Sequence, residues 1–280
     1  MIEFRHVTYS VASGEAETPP TKYGRLRRAI EIARQKQGFA RRGRKFILDD
    51  VSFEVPEHSI TCIMGVSGTG KTTLLRLMAG LTQPDSGEII IDGHNIVGLH
   101  EREMTEIRRE MGFVFQYGAL FDSLNVGENV GFGLEQQRRP RDEIAKIVNA
   151  RLAEVGLGDE SVQKKLPSEI SGGMRKRVAM ARALATNPKI VLYDEPTSGL
   201  DPVMARVIDD LMVNLRERAG TTNVVVSHHL TSILRISDHI IMLHNGQIAA
   251  EGTPDEVQKL DSPVVRQFLE GRAEGPITVA

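Results

Sequence analysis

Residues Gly65-Val66-Ser67-Gly68-Thr69-Gly70-Lys71-Thr72 read G-x-x-x-x-G-K-T, a spacing of glycines, lysine and hydroxyl that suits a chain of phosphates. Glycines let the backbone curl so that successive N–H groups face phosphate oxygens, and a helix starting at the loop's end offers its positive end to the same anion. Gly65, Ser67, Gly68, Thr69, Gly70, Lys71, Thr72 and Thr73 are therefore the candidate phosphate-binding residues. Lys71 is expected to reach the outer phosphates, and Thr72 to give an oxygen to Mg²⁺.

Two further stretches could act with this loop. Ile190-Val191-Leu192-Tyr193-Asp194-Glu195 is an apolar run ending in two carboxylates. Asp194 is suited to hold Mg²⁺ through water, and Glu195 to face the terminal phosphate and polarise an attacking water. Assistance of that kind is typically worth about 10²–10⁴ in rate. Ile170-Ser171-Gly172-Gly173-Met174 precedes the helical stretch 175–185. Ser171 at the helix start, with Gly172 and Gly173 allowing close approach, makes a second anion-binding N-terminus.

The elements that must position these residues are legible in outline. Residues 2–9 and 47–55 alternate like antiparallel edge strands, and Pro56-Glu57-His58 turns the chain into the apolar run 60–64 that feeds the phosphate loop. Residues 86–92 read as a strand, 100–110 as a charged helix, and 112–116 as a return to the sheet. From 117 to 186 the pattern is helical, broken at Pro140, Gly156 to Gly158 and Pro167. Short apolar runs at 190–193, 223–227 and 239–243 alternate with helices at 202–219 and 230–236. Apolar runs without alternation, separated by helices, indicate a parallel sheet buried on both faces. The expected fold is α/β, a phosphate-loop NTPase core with a parallel sheet, antiparallel edge strands and an inserted α-helical subdomain.

Composition sets outer bounds. A chain of 280 residues with 40% hydrophobic and 26% charged content is ordinary for a globular protein, and its net charge of −2 gives no basic footprint for nucleic acid. The single cysteine, Cys62, reads as a buried small hydrophobe in the strand before the loop. No apolar stretch approaches the roughly 18 residues needed to cross a bilayer, and the charged opening Met1 to His6 is unlike a signal peptide. Residues 11–45 interrupt the edge strands. There Leu26, Ala29, Ile30 and Ala33 fall at helical spacing among Arg25, Arg27, Arg28, Arg34 and Lys36. That helix either lies solvated on its own domain or touches a partner or lipid headgroups, where each basic residue would contribute about 1 kcal/mol.

The loop, the double carboxylate and the Ser-Gly-Gly segment together resemble the ATP-binding cassette family, whose signature is usually L-S-G-G-Q. The resemblance implies an ATPase domain over residues 1–255, with the basic insertion 11–45 and a helical signature subdomain 117–186, followed by a C-terminal extension 256–280. It implies ATP and Mg²⁺ as ligands. It also implies a homodimer in which the Ser171 segment of one copy closes over the ATP bound by the other's loop. Gln116 is similar to the glutamine that contacts Mg²⁺ and water and senses the membrane subunit. Asp201, in Ser198-Gly199-Leu200-Asp201, is similar to the residue communicating across the dimer. His228, ending Val224-Val225-Val226-Ser227, is similar to the histidine that hydrogen-bonds the γ-phosphate. His229 stands where the family usually has Asp. On an extended segment His228 and His229 would point to opposite sides and could not share a metal, and the other six histidines read as surface residues. Tyr9 is the candidate for stacking on adenine, with Tyr23, Phe39 or Phe46 as substitutes.

Within that family, Phe115 to Phe121, Leu124 to Val126 and Glu128 to Val130 are similar to the ATPases of Mla/Mce-type phospholipid transporters, as are Met174 in the signature and the tail 264–277. That likeness implies a peripheral subunit at the cytoplasmic face of the inner membrane, bound to an integral permease and, beyond it, a periplasmic Mce-domain lipid-binding protein. Phe121, Leu124 and Val126 would either be exposed for the permease or pack into the helical block. The tail would brace a dimer, dock onto something or stay disordered; its apolar residues have helical spacing. Two rivals share the nucleotide motifs: an importer ATPase for polar amino acids or other small solutes, and a soluble ATP-switched module acting on nucleic acid or the ribosome. The second usually carries two cassettes or long coiled-coil inserts, and this chain has neither.

Overall fold

The computed structural model describes residues 1–12 and 44–277. The basic helix expected around 25–36, with Tyr23 and Phe39, lies outside the described residues. Strands β1 (Ile2–Ala12) and β2 (Arg44–Val55) pair antiparallel, and β1 also pairs antiparallel with β4 (Ser86–Ile91), which carries β5 (His94–Asn95). The β1–β2 register continues through Ser10↔Phe46, Val11↔Lys45 and Ala12↔Arg44. The expected insertion therefore begins too early and ends too late, because its first and last residues extend the strand pair.

The second sheet has six strands in the order β10-β9-β3-β8-β7-β6. These are β3 (Ile60–Met64), β6 (Met111–Val114), β7 (Ile190–Asp194), β8 (Thr222–Val226), β9 (His239–His244) and β10 (Gln247–Gly252). All neighbours from β9 to β6 run parallel, and only β10 is antiparallel, at the edge. Every residue of β3 and β8 is buried, as expected of unalternating apolar strands with a layer on each face. Strand β6 stops at Val114, so Phe115 and Gln116 lie beyond the sheet. Pairing and burial make the loop after β3 a feature of the sheet's carboxyl end, beside the ends of β7 and β8.

Helix α1 (Lys71–Met78) follows the phosphate loop, and α2 (Glu101–Arg109) leads into β6. The helical block comprises α3 (Val126–Gln136), α4 (Arg141–Glu154), the short α5 (Glu160–Gln163) and α6 (Gly172–Ala185). Asn125 and Glu128 cap α3 reciprocally, each side chain taking the other's backbone N–H at 2.8 Å. Pro140, at φ −59° and ψ 143°, is the N-cap residue of α4, and its carbonyl accepts the Ile144 N–H at 3.0 Å. Val130, Leu152 and Val178 of this block join Val191 and Val225 of the sheet in one apolar cluster. Core packing therefore makes the helical segment continuous with the sheet.

Helices α7 (Pro202–Ala219) and α8 (Leu230–Ile236) flank β8, and α9 (Pro254–Lys259) and α10 (Pro263–Glu270) end the described chain. The tail docks on its own domain. Val257, Val265 and Ile277 are buried in the main cluster, and Gln267 accepts from the Ile277 N–H at 2.6 Å while donating to its carbonyl at 3.0 Å. Val126 is also fully buried, while Phe121 is 42% exposed and packs a tilted ring on Phe132 at 4.5 Å. Buried Asn129 fixes the connector: it accepts from the Phe121 N–H at 2.8 Å and donates to the carbonyls of Phe121, Leu124 and Asn125. Among the described residues, no helix is long and apolar enough to cross a membrane.

Candidate active site

The loop Gly65 to Gly70 turns between buried β3 and α1, and its shape depends on glycine at two points. Gly65 has φ +151°, and a Cβ there would lie 2.5 Å from the Leu243 carbonyl oxygen. Gly70, at φ +98°, is the left-handed residue from which α1 starts. Lys71 is 8% exposed and donates to the Gly65 and Val66 carbonyls at 2.8 and 2.9 Å. Burial pushes its ammonium below the ordinary lysine range, while Glu195 and Asp194 act in the opposite sense. Thr69 Oγ1 donates to the Val66 carbonyl at 2.8 Å, closing the loop on itself.

Strand β7 delivers the two carboxylates. Thr72 Oγ1 donates to Asp194 Oδ1 at 3.3 Å, so a hydroxyl and a carboxylate oxygen meet at the loop's exit. Burial raises the Asp194 carboxyl, and the Thr72 hydrogen bond partly offsets it. Glu195 sits at φ +47°, a left-handed conformation uncommon for a residue with a Cβ, and its N–H donates to the Val226 carbonyl at 2.9 Å. Its Oε1 is 2.8 Å from His228 Nδ1, and its Oε2 is buried with no hydrogen-bond partner. An unpaired buried acceptor beside a cationic loop is suited to a water bound next to phosphate. Thr72 and Asp194 are hard oxygen donors of the kind Mg²⁺ takes, so these residues fit the implied ion.

Gln116 Nε2 donates to Ser198 Oγ at 3.3 Å, bringing the end of β6 to the segment after Glu195. Asp201 Oδ1 accepts from the N–H groups of Val203 and Met204 at 2.9 and 3.0 Å, capping α7. Ser171 Oγ accepts from the Met174 N–H at 3.3 Å, capping α6, and Ser171 and Gly172 are exposed while Gly173 is buried. Tyr9 is 9% exposed and packed in the cluster that holds Phe4 and Leu48, so little of its ring is open to a base.

One expectation is corrected. His228 and His229 do not point apart: strand β8 ends at Val226, the chain turns, and the two rings lie 4.3 Å apart at a 32° tilt. Ligand atoms of Glu195, His228 and His229 all lie within 4.8 Å of one another. Alternation holds only on a continuing strand. Of the other histidines, His6, His58, His94 and His100 are exposed, whereas His239 and His244 are half-buried.

The sequence profile of the family described as ABC transporter matches residues 48–198, the span from β2 through the phosphate loop, helical block and β7. The chain belongs to the ABC transporter ATPases. ATP hydrolysis is the activity of that family. This ABC ATPase is 43% identical over 237 residues to the intermembrane phospholipid transport system ATP-binding protein MlaF of Escherichia coli K12, covering 84% of this chain and 87% of that one. It is 40% identical to MlaF of Haemophilus influenzae, covering 85% and 89%. It is also 42% identical to the probable ribonucleotide transport ATP-binding protein mkl of Mycobacterium tuberculosis, covering 84% of this chain and 65% of that one. Its fold matches the ATP-binding cassette MJ0796, solved as a dimer bound to ADP and Pi, with a TM-score of 0.74 and 32% identity over 91% of this chain and 99% of that one.

Two basic residues of this ABC ATPase join the site without having been expected there. Lys176, 6% exposed on α6, donates both to the Gln116 carbonyl and, at 3.2 Å, to the Glu195 carbonyl. Burial lowers its ammonium below the ordinary range, and Glu195 and Asp194 oppose that. Arg182, two turns on, donates to the Ala119 and Gly118 carbonyls at 2.7 and 2.8 Å, across a turn where both residues have positive φ. Helix α6 thus holds the segment after β6 by two cations. The only sequence signal was a basic run, Arg175-Lys176-Arg177, on a helix with an apolar face, which ordinarily reads as solvated.

Proposed function

We propose that this chain is the ATP-hydrolysing subunit of a membrane transporter that moves phospholipids. Two copies pair so that each ATP lies between the loop of one and the Ser171 segment of the other. The pair sits at the cytoplasmic face of the inner membrane, peripheral to an integral permease that works with a periplasmic Mce-domain protein. The observation that carries the phospholipid reading is the likeness to two MlaF proteins along most of both chains. Phe115, Tyr117 and Phe121, exposed by 38%, 84% and 42% around the fixed connector, supply an apolar surface for the permease.

In this reading Gly65 to Thr73 bind the phosphates, and Lys71 exchanges its carbonyl partners for phosphate oxygens. Thr72 and Asp194, with Gln116, would hold Mg²⁺, which when bound neutralises phosphate charge. Glu195 orients the attacking water through its unpartnered Oε2 and takes up its proton. His228, bonded to Glu195 through Nδ1, keeps that carboxylate in place and leaves Nε2 for the terminal phosphate. Lys176 positions both Gln116 and Glu195 through their carbonyls. Asp201, by capping α7, fixes the turn that meets the second copy.

Copurification from detergent-solubilised membranes tests the reading. A permease, an Mce-domain protein and bound phospholipid are the expected companions. Recovery with a solute-binding protein instead, or of ribonucleotide as cargo as the mycobacterial relative's name would suggest, would replace the phospholipid reading while leaving the ATPase intact. Tight RNA or DNA binding at physiological salt by the purified protein would contradict the transporter assignment.

A further inference from the structure

The residues that the proposed hydrolysis needs form, in this chain, a donor set of a different kind. Two imidazoles and one carboxylate converge at the end of β8: Glu195, His228 and His229, with their ligand atoms within 4.8 Å of one another. The His228 Nδ1 and Glu195 Oε1 atoms are already 2.8 Å apart. Donors 2.0–2.2 Å from a tetrahedral zinc ion are separated by about 3.3–3.6 Å. The exposed His229 ring is free to turn toward the other two donors: its backbone is held by Ser227 Oγ and the Ile233 N–H, and no described hydrogen bond holds the ring itself.

We propose that Glu195, His228 and His229 bind a transition-metal ion of the Zn²⁺ or Co²⁺ type, and that the bound ion blocks ATP hydrolysis. This inference rests on the reading of Glu195 and His228 as the groups that act on water and the terminal phosphate. Donor chemistry selects the ion: imidazole nitrogen suits zinc and cobalt, whereas Mg²⁺ takes hard oxygens and stays with Thr72 and Asp194. Two histidines and a carboxylate leave the remaining coordination positions to water, and the 51% exposure of the His228 side chain gives the ion a path from solvent. The Glu195 carboxylate is shielded, with only 12% of its side chain exposed, so that one of the three donors is fixed. An ion held there replaces the His228 Nδ1–Glu195 Oε1 hydrogen bond that keeps the pair in its hydrolytic arrangement. It also withdraws charge from the carboxylate, so that Oε2 no longer takes up a proton from water, and hydrolysis stops without loss of the phosphate loop.

His229 makes the inference specific to this chain. It stands where the resemblance led us to expect Asp, and it is not needed by the hydrolytic arrangement. The site can therefore be removed while the ATPase is left intact.

The test uses the full chain without nucleotide, since ATP itself chelates the ion. Co²⁺ is titrated while its visible absorption is followed, with bound metal counted by equilibrium dialysis. One saturable ion per chain is expected, with binding at least about tenfold weaker in His229→Ala and again in His229→Gln. In the second arm, ATP hydrolysis at saturating Mg²⁺ and ATP is titrated with Zn²⁺. Wild type should be inhibited, and His229→Ala should keep its basal rate and lose that sensitivity. Absence of saturable Co²⁺ binding, unchanged Co²⁺ binding in both His229 variants, or equal Zn²⁺ inhibition of wild type and His229→Ala would overturn the proposal. The hydrolytic reading fails by a separate result, wild-type turnover in Glu195→Gln, so the two failures are distinguishable.

Discussion

The loop Gly65 to Thr72 and the segment Ile170 to Met174 are both glycine-bearing entries to a helix, yet this chain surrounds them differently. Around the loop it gathers Asp194, Glu195 and His228 from the ends of β7 and β8, buries Lys71 among them, and leaves one carboxylate oxygen unpaired. Around the segment the surroundings are simpler: Ser171 and Gly172 are exposed, the Ser171 hydroxyl caps its own helix, and Arg175 donates to the Ile170 carbonyl at 3.5 Å. A helix start of that kind can receive an anion. The two devices are thus unequal halves. The loop has its chemistry supplied within the chain, and the segment offers an open face that a second copy can use.

Substitutions sharpen that contrast, most strongly at the loop's side. Glu195→Gln should lower phosphate release by about 10²–10⁴ while nucleotide binding, read by fluorescence of a labelled ATP analogue, stays intact. Lys176→Met should act through the carbonyls of Gln116 and Glu195. Hydrogen bonds from a charged donor are worth about 1.5–3 kcal/mol, so kcat should fall roughly 10- to 100-fold with KM for ATP little changed. Lys176→Arg should recover part of the loss, which a merely destabilised fold would not. On the segment's side, Ser171→Ala removes a helix cap and should cost about 1 kcal/mol in denaturant unfolding. The smallest effect concerns Cys62, whose thiol burial pushes up to about 12. It should resist alkylation in the folded protein and react only on unfolding, which mass spectrometry after iodoacetamide would show.

Much of this layout was legible in the sequence where local chemistry and periodicity agree. The helix expected at 202–219 is found with those bounds because Pro202 can start it and Gly220, at φ +63°, can end it. The buried strands followed from apolar runs that do not alternate. The ends of β1 and β2 were missed because Arg44 and Lys45 look like loop residues, whereas Arg44 is paired in the fold, donating to Ser10 Oγ at 2.7 Å and lying 3.3 Å from Asp85, and Lys45 is exposed on an edge strand. Lys176 was missed because its partners, two backbone carbonyls, come from distant segments that only the folded chain brings together. The pairing of His228 with His229 was missed because strand alternation was extended one turn past the end of β8. Tyr9 fits its expected place in sequence, but its burial follows from the β1–β2–β4 packing that no local pattern reports.

The most direct measurement mixes two inactive variants. Lys71→Ala spoils the loop and leaves the segment, and Ser171→Arg spoils the segment and leaves the loop. Each should hydrolyse ATP poorly alone. Their mixture should regain hydrolysis, since a mixed pair joins the intact loop of one copy to the intact segment of the other. Hydrolysis by Ser171→Arg alone at the wild-type rate, or a mixture no more active than its components, would contradict a site completed by a second copy.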